Sequence, residues 1–157
     1  MRYLVEINNK TKVKFSQKNA GAIFQKTLQL FFGGQNFVAK EIQLSVALVE
    51  EEEICLLNQQ YRQKNKATDV LSFADYENQQ SLLLADLREA GRADVSIGEL
   101  IVCPAYVQKN AQEDGEDFDY AMTYIVAHGI LHLLGLAHGR KMFALQKAVA
   151  KELNLEK

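Results

Sequence analysis

Apolar and polar residues alternate in some stretches of this chain and recur every third or fourth position in others. A period of two marks a strand with one buried face, and a period near 3.6 marks a helix with one apolar stripe. Tyr3 to Ile7 alternates and predicts a strand, and the basic run Lys10 to Lys14 after it predicts a turn or strand edge. Ser16 is placed to cap a helix over Gln17 to Phe32, where Ala20, Ile23, Phe24, Leu28 and Phe31 share a stripe; Gly33-Gly34 ends it. Glu41 to Val49 sets Ile42, Leu44, Val46 and Leu48 against Gln43, Ser45 and Ala47, a strand buried on one face. Glu50 to Tyr61 reads as a helix, acidic at its start as the macrodipole favours. Val70 to Phe73 is a short strand. Glu77 to Asp94 is polar, with a local apolar run at Leu82 to Leu84, and fits either a hairpin-like excursion or a loop. Ile97 to Cys103 is a strand closed by Pro104. Ala105 to Glu113 predicts a short helix, Asp114-Gly115 a turn, and Asp117 the cap of a central helix over Phe118 to Leu134. A last helix runs from Lys141 to Leu153. Strands mixed with helices in this way predict an α+β fold, a sheet covered by helices.

At 157 residues the chain is the size of one domain, expected to span 1–157, and long enough to bury a core. Its net charge of -2 gives no global basic field, so any nucleic-acid contact must be made by a local patch. Cys55 and Cys103 are its only cysteines, which suits a reducing compartment better than a disulfide scaffold. The opening Met-Arg-Tyr-Leu-Val-Glu does not have the form of a secretory leader. The near-apolar stretch Ala121 to Ala137 sits at the bottom of the membrane-spanning length range and carries two histidines, so a buried core helix is expected and no membrane partner.

Those histidines bring in the chemistry. All three in the chain lie in His128-Gly-Ile-Leu-His132-Leu-Leu-Gly135-Leu-Ala-His138. Positions i and i+4 lie one turn apart on the same helix face, Gly135 is suited to end the helix, and His138 can fold back toward the other two. Three imidazoles and an open fourth position form the layout of a catalytic zinc site, although nickel, iron or another ion shares this ligand chemistry. The frame is that of the metzincin pattern H-E-x-x-H-x-x-G-x-x-H, but Gly129 stands where those proteases carry their general base. The metal cage is predicted and the protease's base is absent. Upstream, Arg62, Lys64 and Lys66 form a basic cluster beside Tyr61, suited to phosphate oxygens or simply to an exposed turn.

Leu57-Asn58 with Tyr61-Arg62, then Thr68-Asp69-Val70-Leu71-Ser72-Phe73, then Ile97-Gly98-Glu99-Leu100-Ile101, then the histidine segment, occur in that order. This resembles the YbeY family, also called the rRNA maturation RNase family, over most of the chain. The resemblance implies a mixed, mostly parallel sheet of about four strands packed by helices, with a zincin-like site. It implies a bacterial cytoplasmic, zinc-dependent endoribonuclease that cuts single-stranded rRNA. Its role would lie in 16S rRNA 3′-end maturation and ribosome quality control, with the small ribosomal subunit as partner. Carried over by position, His128, His132 and His138 match the zinc ligands and Arg62 the functional arginine, while Glu99 or Asp69 could orient a ligand or act as base. RNA would lie in a groove between the sheet and the central helix. The chain departs from the family at Ala67 and Ala74, where proline is usual, at Glu99 and Ala137, where aspartate is usual, and at Phe143 after Met142, where glutamate is usual. Two alternatives stand beside the nuclease: a metal-containing ribosome assembly factor without strong catalysis, and a metalloprotease, which Gly129 disfavours.

Overall fold

The computed structural model describes residues 1–155, with side chains as far as Leu153. Four strands and six helices follow one another as β1 (Arg2–Asn9), α1 (Gln17–Phe32), β2 (Glu41–Leu48), α2 (Glu51–Arg62), β3 (Val70–Ala74), α3 (Gln80–Leu87), β4 (Asp94–Val102), α4 (Pro104–Asp114), α5 (Phe118–Leu133) and α6 (Arg140–Leu155). The strands form one sheet in the order β1-β2-β4-β3. β1, β2 and β4 are parallel, and β3 runs antiparallel to β4 at the edge. This is the mixed, mostly parallel α+β sheet that the sequence led us to expect.

The residues chosen for each element follow local chemistry. Ser16 accepts the Asn19 amide at 3.0 Å and caps α1, and Asp117 accepts the Tyr120 amide at 3.1 Å and caps α5. Pro104 closes β4 and also opens α4, where its missing N–H costs nothing. The undecided stretch after β3 resolves into a helix, α3, with Leu83 and Leu87 buried, Leu84 half-buried and Leu82 exposed. The Lys10 to Lys14 run forms bends in which Asn9 accepts from the Thr11 amide and donates to the Val13 carbonyl.

One face of the sheet carries the main core. Ile42, Leu44, Val46 and Leu48 of β2 pack there with Val95, Ile97, Leu100 and Val102 of β4, under α1, α5 and α6. The run in β4 is not a strict alternation. Gln43 and Ser45 of β2 pair with Ser96 and Glu99, so two residues, Ile97 and Gly98, stand opposite Leu44 alone. This bulge is possible because Gly98 adopts φ +138° and because any side chain there would strike the Phe73 carbonyl and Leu133. Its effect is to reverse the faces beyond it: Leu100 and Val102 join the core, and Glu99 and Ile101 turn to the opposite side. On that side α2 packs Ile54 and Leu57 against Leu71, Phe73, Ile101 and Cys103. No described helix is long and apolar enough to cross a membrane.

Candidate metal centre

α5 is buried along most of its circumference, through Ala121, Met122, Val126, Ala127, Ile130, Leu131 and Leu133. Gly129 lies on the sheet side, where a Cβ would come within 2.7 Å of Leu100 Cδ2. The helix therefore rests on β4 at closest approach at the position where metzincins place their base, and a glutamate has no room there. His128 and His132 occupy the half-buried face that remains.

The end of α5 determines where the third histidine goes. The Leu136 amide donates to the Leu131 carbonyl at 3.0 Å, and the Gly135 amide to the His132 carbonyl at 2.9 Å. With Gly135 at φ +92°, this is the paired hydrogen-bond pattern of a Schellman stop. The reversal delivers the Leu136 carbonyl to His132 Nδ1 at 3.1 Å and brings His138 Nε2 to 3.3 Å from His132 Nε2. His128 Nε2 lies 3.1 Å from His132 Nε2, and one ligand atom from each ring falls within a 4.8 Å set.

Tautomers give these distances their meaning. The Leu136 carbonyl can only accept, so His132 Nδ1 carries the hydrogen and its Nε2 has a bare lone pair. His128 Nδ1 donates to Oε1 of Gln146 at 3.0 Å, which leaves its Nε2 in the same state. Burial holds His132 below the usual imidazole pKa, helped by the neighbouring His128 and His138 and opposed by the Leu136 hydrogen bond. Facing lone pairs at 3.1 Å are not hydrogen-bonded to each other. They are spaced as ligands of a shared ion: nitrogens about 2.05 Å from a tetrahedral centre lie roughly 3.3 Å apart. The donor set fits a divalent transition metal.

Gln146 does not stand out in the chemistry-bearing motifs, yet it is 1% exposed and holds the first histidine. The signal was there in α6: Met142, Gln146, Val149 and Leu153 share one stripe, and glutamine is its polar member.

Arg62 reaches the same site from the opposite face of the sheet. It leaves the last turn of α2 and stacks over the Phe73 ring, 5.1 Å from the centroid. Its Nη2 donates to the Ser72 carbonyl at 2.8 Å, and Nη1 donates weakly to the Tyr61 carbonyl at 3.4 Å. The Cys103 amide bonds the Asp69 carbonyl and the Asp75 amide bonds the Ile97 carbonyl, so in this antiparallel pair the Ser72 peptide points away from β4. Arg62 thus wraps round the β3 edge and lines, with Tyr76, Gln80, His132 and Ala137, a groove of about 510 Å³. Lys64 and Lys66 stay exposed in the turn after α2, which the buried Asn58 pins by donating to the Lys66 carbonyl at 3.0 Å.

The two carboxylates lie elsewhere. Glu99 is exposed and pairs across from Phe73, on the α2 side of the sheet that the bulge turned it to. Asp69 accepts from the Val70 amide at 2.7 Å and the Thr68 hydroxyl at 3.3 Å, and lines a neighbouring groove between α4, α5 and α6.

A mixed four-stranded sheet crossed by a helix with a histidine pair, completed by a third histidine from the turn beyond, defines a class of α+β proteins with a zincin-like three-histidine site. Within that class, residues 6–154 match the model of the family described as Endoribonuclease YbeY. Curated proteins named Endoribonuclease YbeY are similar to the chain. One from Lacticaseibacillus casei is 36% identical over 129 residues, covering 79% of this chain and 82% of that protein. One from Staphylococcus carnosus is 32% identical over 123 residues, covering 75% and 76%. The solution structure of a Thermotoga maritima protein matches with a TM-score of 0.59 and 29% identity, over 98% of this chain and 91% of the other. The chain belongs to the YbeY family.

Proposed function

We propose that this protein is a zinc-dependent endoribonuclease that cuts single-stranded rRNA, acting in 16S rRNA 3′-end maturation and ribosome quality control in association with the small ribosomal subunit of a bacterial cytoplasm. The observation that carries the reading is the convergence of one ring nitrogen from each of three histidines beside the same groove that Arg62 lines. His128, His132 and His138 would hold the ion. Once bound, it supplies Lewis acidity toward a phosphoryl oxygen and a water molecule.

The chain's own groups do the remaining work. Gln146 and the Leu136 carbonyl hold two imidazoles in the tautomer that leaves Nε2 bare. Phe73 and the Ser72 carbonyl hold the Arg62 guanidinium in place, and its remaining N–H groups are available to charge building on phosphoryl oxygens. The crowding of Gly129 against Leu100 counts against peptide hydrolysis by the metzincin route.

The test uses the metal-loaded full chain and an RNA with the 16S 3′ end. His132→Ala is expected to lose bound zinc and cleavage together, and Arg62→Ala to keep zinc and lose most of the cleavage. Cleavage undiminished in His132→Ala would reject the reading. Small subunits that still co-sediment with His132→Ala, with no cleavage by the wild type, would favour the assembly-factor alternative.

A further inference from the structure

A second groove, of about 430 Å³, opens between α4, α5 and α6. Its α5 wall is made by Ala121, Tyr124 and Ile125. These positions continue the stripe that carries His128 and His132, since steps of three and four residues stay on one helix face. Tyr124 lies one turn before His128, about 6 Å along the axis, and Tyr120 one turn before that. The two tyrosine rings are nearly parallel, at 20°, with centroids 6.3 Å apart, and both are half-buried. Lys147 on the α6 side follows Gln146, the residue that holds His128. Asp69 brings the groove to the head of β3, whose other end borders the Arg62 groove. The two grooves therefore flank the histidines along one β3–α5 track.

Their chemistry differs. The Arg62 groove offers a fixed guanidinium. The tyrosine groove has one cation, Lys147, against Asp69, Asp114 and Glu116. That balance disfavours a phosphate. Aromatic faces, an apolar floor and polar groups that can both donate and accept, Asn110 among them, suit a flat neutral group with hydrogen-bonding edges.

We propose that this groove is a nucleobase subsite, in which Tyr124, backed by Tyr120, stacks one unpaired base of the strand whose phosphate lies at the histidines. A duplex cannot place a base there without unpairing it, so the subsite also selects single-stranded RNA. The proposal rests on the endoribonuclease reading.

The experiment uses the metal-loaded full chain with short fluorescent single-stranded RNAs, intact or with one abasic ribose moved stepwise through the sequence. Both cleavage kinetics and binding anisotropy are read. Tyr124→Ala is expected to raise KM and Kd about 10- to 100-fold with kcat within about threefold, and Tyr124→Phe to behave as wild type. An abasic ribose at one position near the cut should weaken wild-type binding by the same factor and Tyr124→Ala no further. An unchanged KM in Tyr124→Ala, or equal losses from the variant on intact and abasic RNA at every position, would overturn the subsite. Binding with this coupling but no cleavage would sink the nuclease reading and keep the subsite. No binding of single-stranded RNA by the wild type would end both.

Discussion

Gln146 sits where leucine would satisfy the α6 stripe equally well, and its amide meets His128. Gln146→Leu is expected to leave thermal stability within a few degrees of wild type while zinc affinity falls roughly 10- to 100-fold, because His128 loses the bond that orients its ring. Chelator competition on the purified variant measures this, and unaltered affinity would show that His128 is oriented by packing alone. Gly129 makes the complementary case. Gly129→Glu restores the metzincin base on paper, but its side chain would have to enter the space held by Leu100. The expected outcome is a loss of roughly 1–3 kcal/mol in urea unfolding, the usual cost of overpacking, with no casein hydrolysis. The histidines were legible in the sequence because spacing on a helix and a glycine stop are local facts. Gln146 was not, because its partner lies 18 residues away and only the packing of α5 on α6 joins them.

Elements were read well wherever one period ran unbroken, as in α1 and β2. Two departures escaped for distinct reasons. In α3 three consecutive leucines have three different exposures, so no stripe shows in so short a helix. In β4 the bulge breaks the alternation at Gly98, and a strict period of two would have put Glu99 into the core with Ile97. The α3 element also has a titration signature. Tyr76, in the turn before it, donates its hydroxyl to Asp86 at 2.6 Å. Burial first, and then this bond, raise the phenol pKa to about 12. The folded state thus favours the neutral phenol. Its contribution to stability is full below the unfolded value of about 10 and is lost as pH rises through about 12. Melting temperatures of wild type and Tyr76→Phe should accordingly differ most at neutral pH and converge as pH rises from about 10 through about 12. A constant gap across that range would contradict this account.

At the scale of the molecule, the site joins what the sheet separates: α5 supplies histidines from one face, and α2 sends Arg62 round from the other. An ion held by the histidines, as the proposed function requires, would tie the end of α5 to the turn beyond it and so link metal binding to folding. With free zinc at about 100 times its Kd the linkage is worth about 2.7 kcal/mol, and chelation should lower the melting temperature by several degrees while abolishing RNA cleavage. A melting temperature indifferent to chelator would mean that the histidine turn is fully formed without the ion. The β3 edge carries a consequence of another kind. Its outward backbone groups could template a strand from a second molecule, as any open sheet margin can. The Arg62 guanidinium occupies the Ser72 carbonyl on that margin and crowds the approach to it with charge. Under the proposed function Arg62 would then serve twice, guarding against self-association as well as meeting a phosphate. A variant lacking it is expected to cluster at concentrations where the wild type does not, so light scattering belongs beside every assay that uses that variant as an inactive control.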